Sequence, residues 1–350
     1  MTASPGAVAG AVARWRALRM PLLALAAALA ASGVVVVLAG GDPLLALTAL
    51  LEGAFGSPDA WSEVGVRASP LLLTGLAVTI AFRAGIWNIG AEGQLLVGAV
   101  MVAWLGTRVG AWPSAVALPV LLAAAAAGGA AWAGIAAVLR TARGVDEVIS
   151  TIMLNFIALG LLGWLVQGPL MEAAGAYPQS DAIAATARMP RLVGGYRVHA
   201  GLVLALLAAA AAWGLLFRTA LGFEMRAAGL NILATRLAGL RTTGALLRAL
   251  ALSGALAGLA GGIEVSAVTF RLYENFSPGY GFTAIAVALL GRLHPGGVVA
   301  AALFFAALDV GSTAMQRVAG VSAVLVSAVQ AIVILALLAF EQRRGQTGAA

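Results

Sequence analysis

The amino-acid sequence predicts an all-α, polytopic integral membrane protein with about 10 transmembrane helices (8–10), and three observations predict it. Hydrophobic residues make up 62% of the 350-residue chain and charged residues 10%, with a mean hydropathy of +0.99. A soluble domain carries about 25% charged residues, so this chain cannot cover a water-facing surface, and no charged stretch is long enough to build a separate soluble domain. Apolar runs of the length that crosses the hydrocarbon core, about 20 residues, recur along the chain. The 44 glycines and many alanines suit close helix packing through small residues. The absence of cysteine removes disulfides, thiolate metal sites and cysteine nucleophiles. The net charge of +7 is carried by arginine alone, scattered between apolar runs, which speaks for membrane topology and against nucleic-acid binding.

Spans are expected near 19–40, 65–83, 89–107, 114–139, 145–167, 198–217, 243–264, 280–291, 296–313 and 320–340. The first follows Arg14, Arg16 and Arg19 and is longer than the usual apolar core of a signal peptide, so an uncleaved span is expected. The eighth is too short to cross alone and reads as a half-helix or as part of a broken span with 265–279. With the N-terminus inside, 14 of the 21 arginines fall on the cytoplasmic side, which predicts cytoplasmic N- and C-termini and an even number of spans. The expected organisation is a cytoplasmic segment 1–18, a transmembrane domain 19–341 and a cytoplasmic tail 342–350. Within the domain, 168–198 is an irregular external loop and 218–241 a cytoplasmic segment.

Four stretches carry polar groups worth weighing. In 81–98, Asn88, Glu92 and Gln94 sit among Gly85, Gly90, Gly93 and Gly98 at a span boundary. They form either a polar hinge near a solute path or a capped span start, with Asn88 as N-cap and Glu92 in the first turn. In 143–158, Asp146 and Glu147 open a helix, and Thr151 and Asn155, four apart, share a face that can bond a solute or a neighbouring helix. In 253–264, Gly254, Gly258 and Gly262 form a doubled small-xxx-small stripe, which suits helix packing, and Glu264, Arg271 and Glu274 follow as a solvated pair or network. In 274–283, turn chemistry at Pro278 and Gly279 accompanies Phe276, Tyr280 and Phe282, which can stack on a planar ligand or form an interfacial belt. Asp309 is an intramembrane acid. His199 and His294 are isolated, so a metal site or a Ser-His pair is not expected, and no phosphate-binding loop is present.

The polar interruption 218–241 is different in kind. Phe223, Ala227, Leu230, Ala234 and Leu237 recur at spacings of four and three, making one apolar stripe on a short basic amphipathic helix. Such a helix lies on the membrane surface or docks into a soluble partner.

NIGAEGQ at 88–94, GVDEVISTIMLN at 144–155, the stretch 222–239 and GFTAIAVALLGRLHPGG at 281–297 appear in this order. Together they resemble the permease subunit of bacterial ATP-binding-cassette importers for nucleosides and simple sugars, over residues 65 to 335, with the nucleoside-type branch favoured over the ribose-type. Asp146 stands where that family commonly has Asn. The resemblance implies a second, related permease (a heterodimer), a cytosolic ATPase with two cassettes, and an external lipid-anchored or periplasmic binding protein that delivers the solute. It implies location in the bacterial inner membrane and no cofactor in this chain, ATP being bound by the partner. It places ATPase docking on Gly222, Glu224, Ala227, Ala228, Gly229, Leu230, Leu237 and Gly239. The solute path is expected at Asn88, Glu92, Gln94, Thr151, Asn155 and Phe282, whose neutral hydrogen-bonding groups and aromatic face suit a nucleoside. The alternative is a self-sufficient secondary transporter or channel for a small polar solute. That needs intramembrane ionisable groups, of which the chain has few, and leaves 218–241 without a job. A membrane-embedded enzyme lacks a nucleophile–base pair.

Overall fold

The computed structural model describes residues 30–31, 33–38, 40–320, 322 and 331–332. The expected first span at 19–40 and last span at 320–340, both termini and the tail lie mostly or wholly outside the described residues. Among those described, every regular element is helical: α1 Pro43–Phe55, α2 Pro58–Arg83, α3 Ala91–Gly106, α4 Ser114–Arg143, α5 Glu147–Gln167, α6 Ala200–Arg218, α7 Ala220–Leu230, α8 Ile232–Leu237, α9 Thr242–Glu264, α10 Tyr280–Leu290 and α11 Pro295–Ala319. Six are long and apolar enough to cross a membrane: α2, α4, α5, α6, α9 (extended to Thr269) and α11. Three apolar helices, α1, α3 and α10, are shorter.

The chain divides into two units. The smaller is built from the described parts of 1–60 and 307–350. In it Val36, Ala46 and Leu50 pack with Met315. Its helix α1 is not expected from the sequence, yet its start is encoded. Pro43 occupies the first turn, and the Asp42 carboxylate accepts from the Leu44 and Leu45 amides at 2.8 and 3.2 Å.

The larger unit, 61–306, holds the site. Its centre is a three-helix junction of α3, α4 and α9. The stripe Gly254, Gly258 and Gly262 lies against α4. A Cβ on Gly258 would fall on the Ala125 carbonyl oxygen, and one on Gly254 would fall on the Gly129 carbonyl oxygen. Gly98 of α3 meets Gly258 from the other side. Backbones approach this closely only because no side chain stands between them. Helix α4 ends at Gly144 with φ +68°. The Gly144 amide donates to the Arg140 carbonyl at 3.2 Å and the Val145 amide to the Leu139 carbonyl at 3.3 Å, which stops the helix. Asp146 then caps α5 by accepting from the Val148 amide at 2.8 Å. Helix α9 runs into a π-helical turn, Val265–Thr269, that ends at Phe270 in a left-handed conformation.

The loop 168–198 has little regular structure beyond a short turn at Ala185–Ala187, but it is tied down. Its amides at Ser180 and Ile183 donate to the Leu272 and Phe270 carbonyls at 2.7 and 2.9 Å. Glu172 accepts from the Gln179 amide at 2.7 Å, Arg271 at 2.8 Å and the Tyr177 amide at 3.2 Å. The Gln179 bond, together with the Tyr177 amide and Arg271, outweighs partial burial and holds the Glu172 carboxyl below its ordinary range. Glu264, Arg271 and Glu274 therefore do not form a common solvated network. Glu264 is buried, Arg271 pairs with Glu172, and Glu274 meets Gln167 at 3.4 Å.

The segment 218–241 is not one helix. Asn231 adopts φ −159° and ψ 104°, its side chain accepts from the Ala234 amide at 3.0 Å, and α8 starts a new axis. An apolar period continues across a break when the breaking residue caps the next turn, so the spacing alone could not show it.

Candidate functional site

The break between α2 and α3 brings the polar groups of 81–98 inside. Asn88 is fully buried. Its Nδ2 donates to Gln94 Oε1 at 3.1 Å and Ser253 Oγ at 2.8 Å, and its Oδ1 accepts from the Gly90 amide at 2.9 Å and Gln94 Nε2 at 3.1 Å. Two donors and two acceptors saturate the carboxamide. Ser253 passes its own proton to the Ala77 carbonyl at 2.7 Å. Asn88 thus joins α2, α3 and α9; the N-cap position of α3 belongs to Gly90. Thr151 donates to the Glu147 carbonyl at 2.6 Å and accepts from the Ile89 amide at 3.3 Å. Asn155 accepts from the Gly93 amide at 2.8 Å and donates to the Ile89 carbonyl at 2.9 Å, so α5 holds the start of α3 at two points.

Glu92 accepts from the Gly281 amide at 2.6 Å and is also bonded by the Ser277 hydroxyl, which locks the first turn of α3 to the first turn of α10. Beside this bond lies a cavity of about 180 Å³ lined by Glu92, Leu96, Asn155, Phe156, Leu159, Asn275, Ser277, Gly279 and Phe282. Three of the six residues expected on a solute path, Glu92, Asn155 and Phe282, share this wall. Asn88, Gln94 and Thr151 are not on it. Asn275, Ser277, Phe156 and Leu159 join it without having been singled out by sequence. The turn signal at Pro278 and Gly279 points to the segment, which turns through left-handed backbone at both Asn275, φ +57°, and Gly279, φ +92°. Of the three aromatics in 274–283, Phe276 and Tyr280 are buried, Phe276 at 5.8 Å from the Tyr273 ring, while Phe282 is half exposed.

At the opposite helix ends, the small residues of 218–241 face the protein itself. Gly222 lies on the Leu215 and Leu216 backbone, Ala228 is buried, and a Cβ on Gly229 would fall on the Arg83 carbonyl beside Gly85. Glu224 pairs with Arg248 at 3.4 Å, Ala227 is partly buried, and Gly239 takes φ +79°. Large apolar side chains point outward among exposed polar ones: Leu230 is 88% exposed and Leu237 82%, with Phe223 and Leu233 also exposed, beside exposed Asn231 and Arg236. A second cavity, about 260 Å³, lies beneath this segment between Gly85, Arg140, Glu147, Gly229, Asn231 and Leu250. Asp309 lies on α11 in the smaller unit and is not without a partner. Among the described residues no three His, Cys, Asp or Glu side chains come together as metal ligands.

Residues 61–338 match the family described as branched-chain amino acid transport system / permease component. The chain belongs to this permease family. It is 41% identical to the glucose ABC transporter permease protein TsgB13 of Haloferax volcanii, over 94% of this chain and 89% of that protein. It is 37% identical to the guanosine ABC transporter permease protein NupP of Bacillus subtilis, over 93% and 94%. It is 30% identical to the nucleoside ABC transporter permease protein NupB of Lactococcus lactis, over 86% and 85%. No solved structure matches. The chain is a permease subunit of an ABC importer and a multi-pass membrane protein.

Proposed function

We propose that this permease carries a nucleoside, or a simple sugar, across the bacterial inner membrane through a path that includes the cavity between α3, α5 and α10. The observation that carries the reading is the composition of that wall: two carboxamides, a hydroxyl, a carboxylate and two exposed aromatic rings, Phe156 and Phe282. Ribose and hexose hydroxyls and the edges of a base need neutral hydrogen-bonding partners, and a planar base needs a ring face. At about 180 Å³ the cavity is smaller than the ~300–1,000 Å³ usual for a small-molecule site, as suits one half of a path completed by a second permease. Relatives named for glucose and for guanosine support both solute classes.

The outward apolar residues Phe223, Leu230, Leu233 and Leu237 are the surface on which a tandem-cassette ATPase docks. Gly222, Ala228 and Gly229 serve that docking indirectly, by seating α7 against α6 and the end of α2. An external binding lipoprotein or periplasmic protein delivers the solute at the opposite ends. The chain has about ten spans with both termini cytoplasmic. Arg83, the segment 218–241 and Arg292 lie at one set of helix ends, while Arg67, the loop 168–198 and Arg271 lie at the other, which agrees with the arginine bias. ATP binding moves the docked segment, and rigid-body motion switches access to the path. Replacement of Leu230 and Leu237 by glutamate tests the docking. ATPase co-purification should fall while the permease still inserts and elutes as one species; undiminished co-purification of the double variant would refute it.

A further inference from the structure

We propose that the end of α6 nearest the segment 218–241 is a binding site for the headgroup phosphate of an anionic phospholipid. Helix α6 exposes Leu206, Ala210 and Trp213 and continues in register to the partly buried Phe217, at spacings of four, three and four, one stripe in which Leu206 and Trp213 are 44% and 41% exposed. An apolar stripe of that kind faces acyl chains. At its end the chemistry changes within one turn. The Arg218 guanidinium lies 5.0 Å from the Trp213 ring centre. Around the Phe217 ring stand Arg226 at 5.1 Å, Arg83 at 5.7 Å and the His294 ring at 5.2 Å. Three separate parts of the chain thus bring three guanidiniums, and a fourth an imidazole, to one helix end.

Nothing among the described residues neutralises them. Arg83 donates to the Leu293 carbonyl at 2.8 Å and the Arg292 carbonyl at 3.4 Å, which uses two of its five N–H groups and does not cancel its charge. Arg226 and Arg83 repel each other, and Arg226 Nε is out of contact with water and has no hydrogen-bond partner. The nearest carboxylate in sequence, Glu224, is turned to Arg248. A guanidinium beside an aromatic ring keeps a planar fork of N–H donors that matches a phosphate. A phosphodiester whose acyl chain runs along Leu206 and Trp213 places its charge at Phe217, and basic pockets between membrane helices hold such headgroups. A protein carboxylate fits the charge but not the apolar stripe that leads to it.

The lipid readout uses the delipidated full-length chain in neutral detergent, so it does not depend on the solute, the ATPase or the sidedness proposed above. Native mass spectrometry reads retention of phosphatidylglycerol, phosphatidylcholine and inorganic phosphate. Phosphatidylglycerol should be retained in preference to phosphatidylcholine, and inorganic phosphate alone should neither be retained nor displace it. Arg226→Gln and Arg218→Gln should each weaken phosphatidylglycerol retention roughly fivefold, Arg226→Lys should largely restore it, and Arg248→Gln should leave it unchanged. If Arg226→Gln fails to elute as a single species, Arg218→Gln carries the same comparison. Equal retention of both lipids, or of phosphatidylglycerol by wild type and Arg218→Gln, overturns the proposal. Retention of inorganic phosphate in place of lipid shows a free-anion site and also overturns it. So does loss of ATPase co-purification in Arg226→Gln with lipid retention intact, which would make the cluster a seat for a partner's carboxylate.

Discussion

Replacing Gly258 by alanine tests the helix junction that positions everything else. The new Cβ falls on the Ala125 carbonyl oxygen and sits 3.0 Å from the Gly129 Cα, so neither neighbour is a flexible side-chain end that can swing aside. Carbon contacts settle at about 3.5–4.0 Å, so α4 and α9 must part by roughly 1 Å, and a gap of that size forfeits a quarter to a half of each van der Waals contact along the crossing. Overpacking of this kind costs about 1–3 kcal/mol, and backbone on both sides puts it at the upper end. Alanine regains up to ~1 kcal/mol of helix propensity in water. Gly134→Ala, on α4 itself, supplies the control, because a Cβ there meets nothing within 4 Å. Both variants gain the propensity term, so their difference isolates packing at about 2–3 kcal/mol. The assay is thermal unfolding of the detergent-solubilised protein followed by size-exclusion chromatography with tryptophan fluorescence. Gly258→Ala should melt well below wild type and Gly134→Ala at or above it. Equal midpoints for the two variants would refute the close-crossing reasoning.

Two further outcomes follow from single side chains. Asn88→Ala removes four hydrogen bonds at once and leaves the Gln94 carboxamide and the Gly90 amide unpaired, so stability should fall by roughly 3 kcal/mol; a melting point equal to wild type would show that the α2–α3–α9 joint is not held there. His199 caps α6 by accepting from the Gly201 amide at 3.2 Å, and burial, then the Arg197 charge, push its pKa down to about 4. Its folded pKa lies below the unfolded value near 6.5, so its contribution is intact above that value and is lost as pH falls toward 4, amounting to about 3 kcal/mol at most. His199→Asn, which can still cap, should flatten the loss of stability across that window, and an unchanged pH profile would remove His199 as its source.

Apolar length makes the long helices legible from sequence. The runs 65–83, 114–139, 145–167, 198–217, 243–264 and 296–313 each lie largely or wholly within a helix, because in a membrane protein the hydrocarbon thickness fixes both. Asp146 and the Gly254–Gly258–Gly262 stripe are legible for a similar reason, since a cap and a close crossing are local demands on residue type. Helix α1 escapes that criterion because 13 residues are too few to span. The two-helix form of 218–241 escapes it because the stripe continues in register through Asn231. Direction is the other missing quantity. Leu230 and Ala228 lie two residues apart in one amphipathic segment, yet one is exposed and the other buried, and only the packing of α7 separates them. Asn275 and Ser277 reach the cavity wall through a left-handed turn that periodicity does not encode.

The most direct measurement of a path between α3, α5 and α10 uses the lack of native cysteine. Phe282→Cys is the sole thiol of this chain, which is reconstituted with cysteine-free versions of its partner permease, ATPase and binding protein, and Phe282 is half exposed on the cavity wall. ATP-driven uptake of labelled guanosine and of glucose is measured before and after a small methanethiosulfonate reagent is added. Uptake by the unmodified variant, loss of uptake on modification, and slower modification in the presence of the transported solute are expected. Complete modification with undiminished uptake, at a labelling rate that the transported solute does not change, would contradict a solute path at this wall.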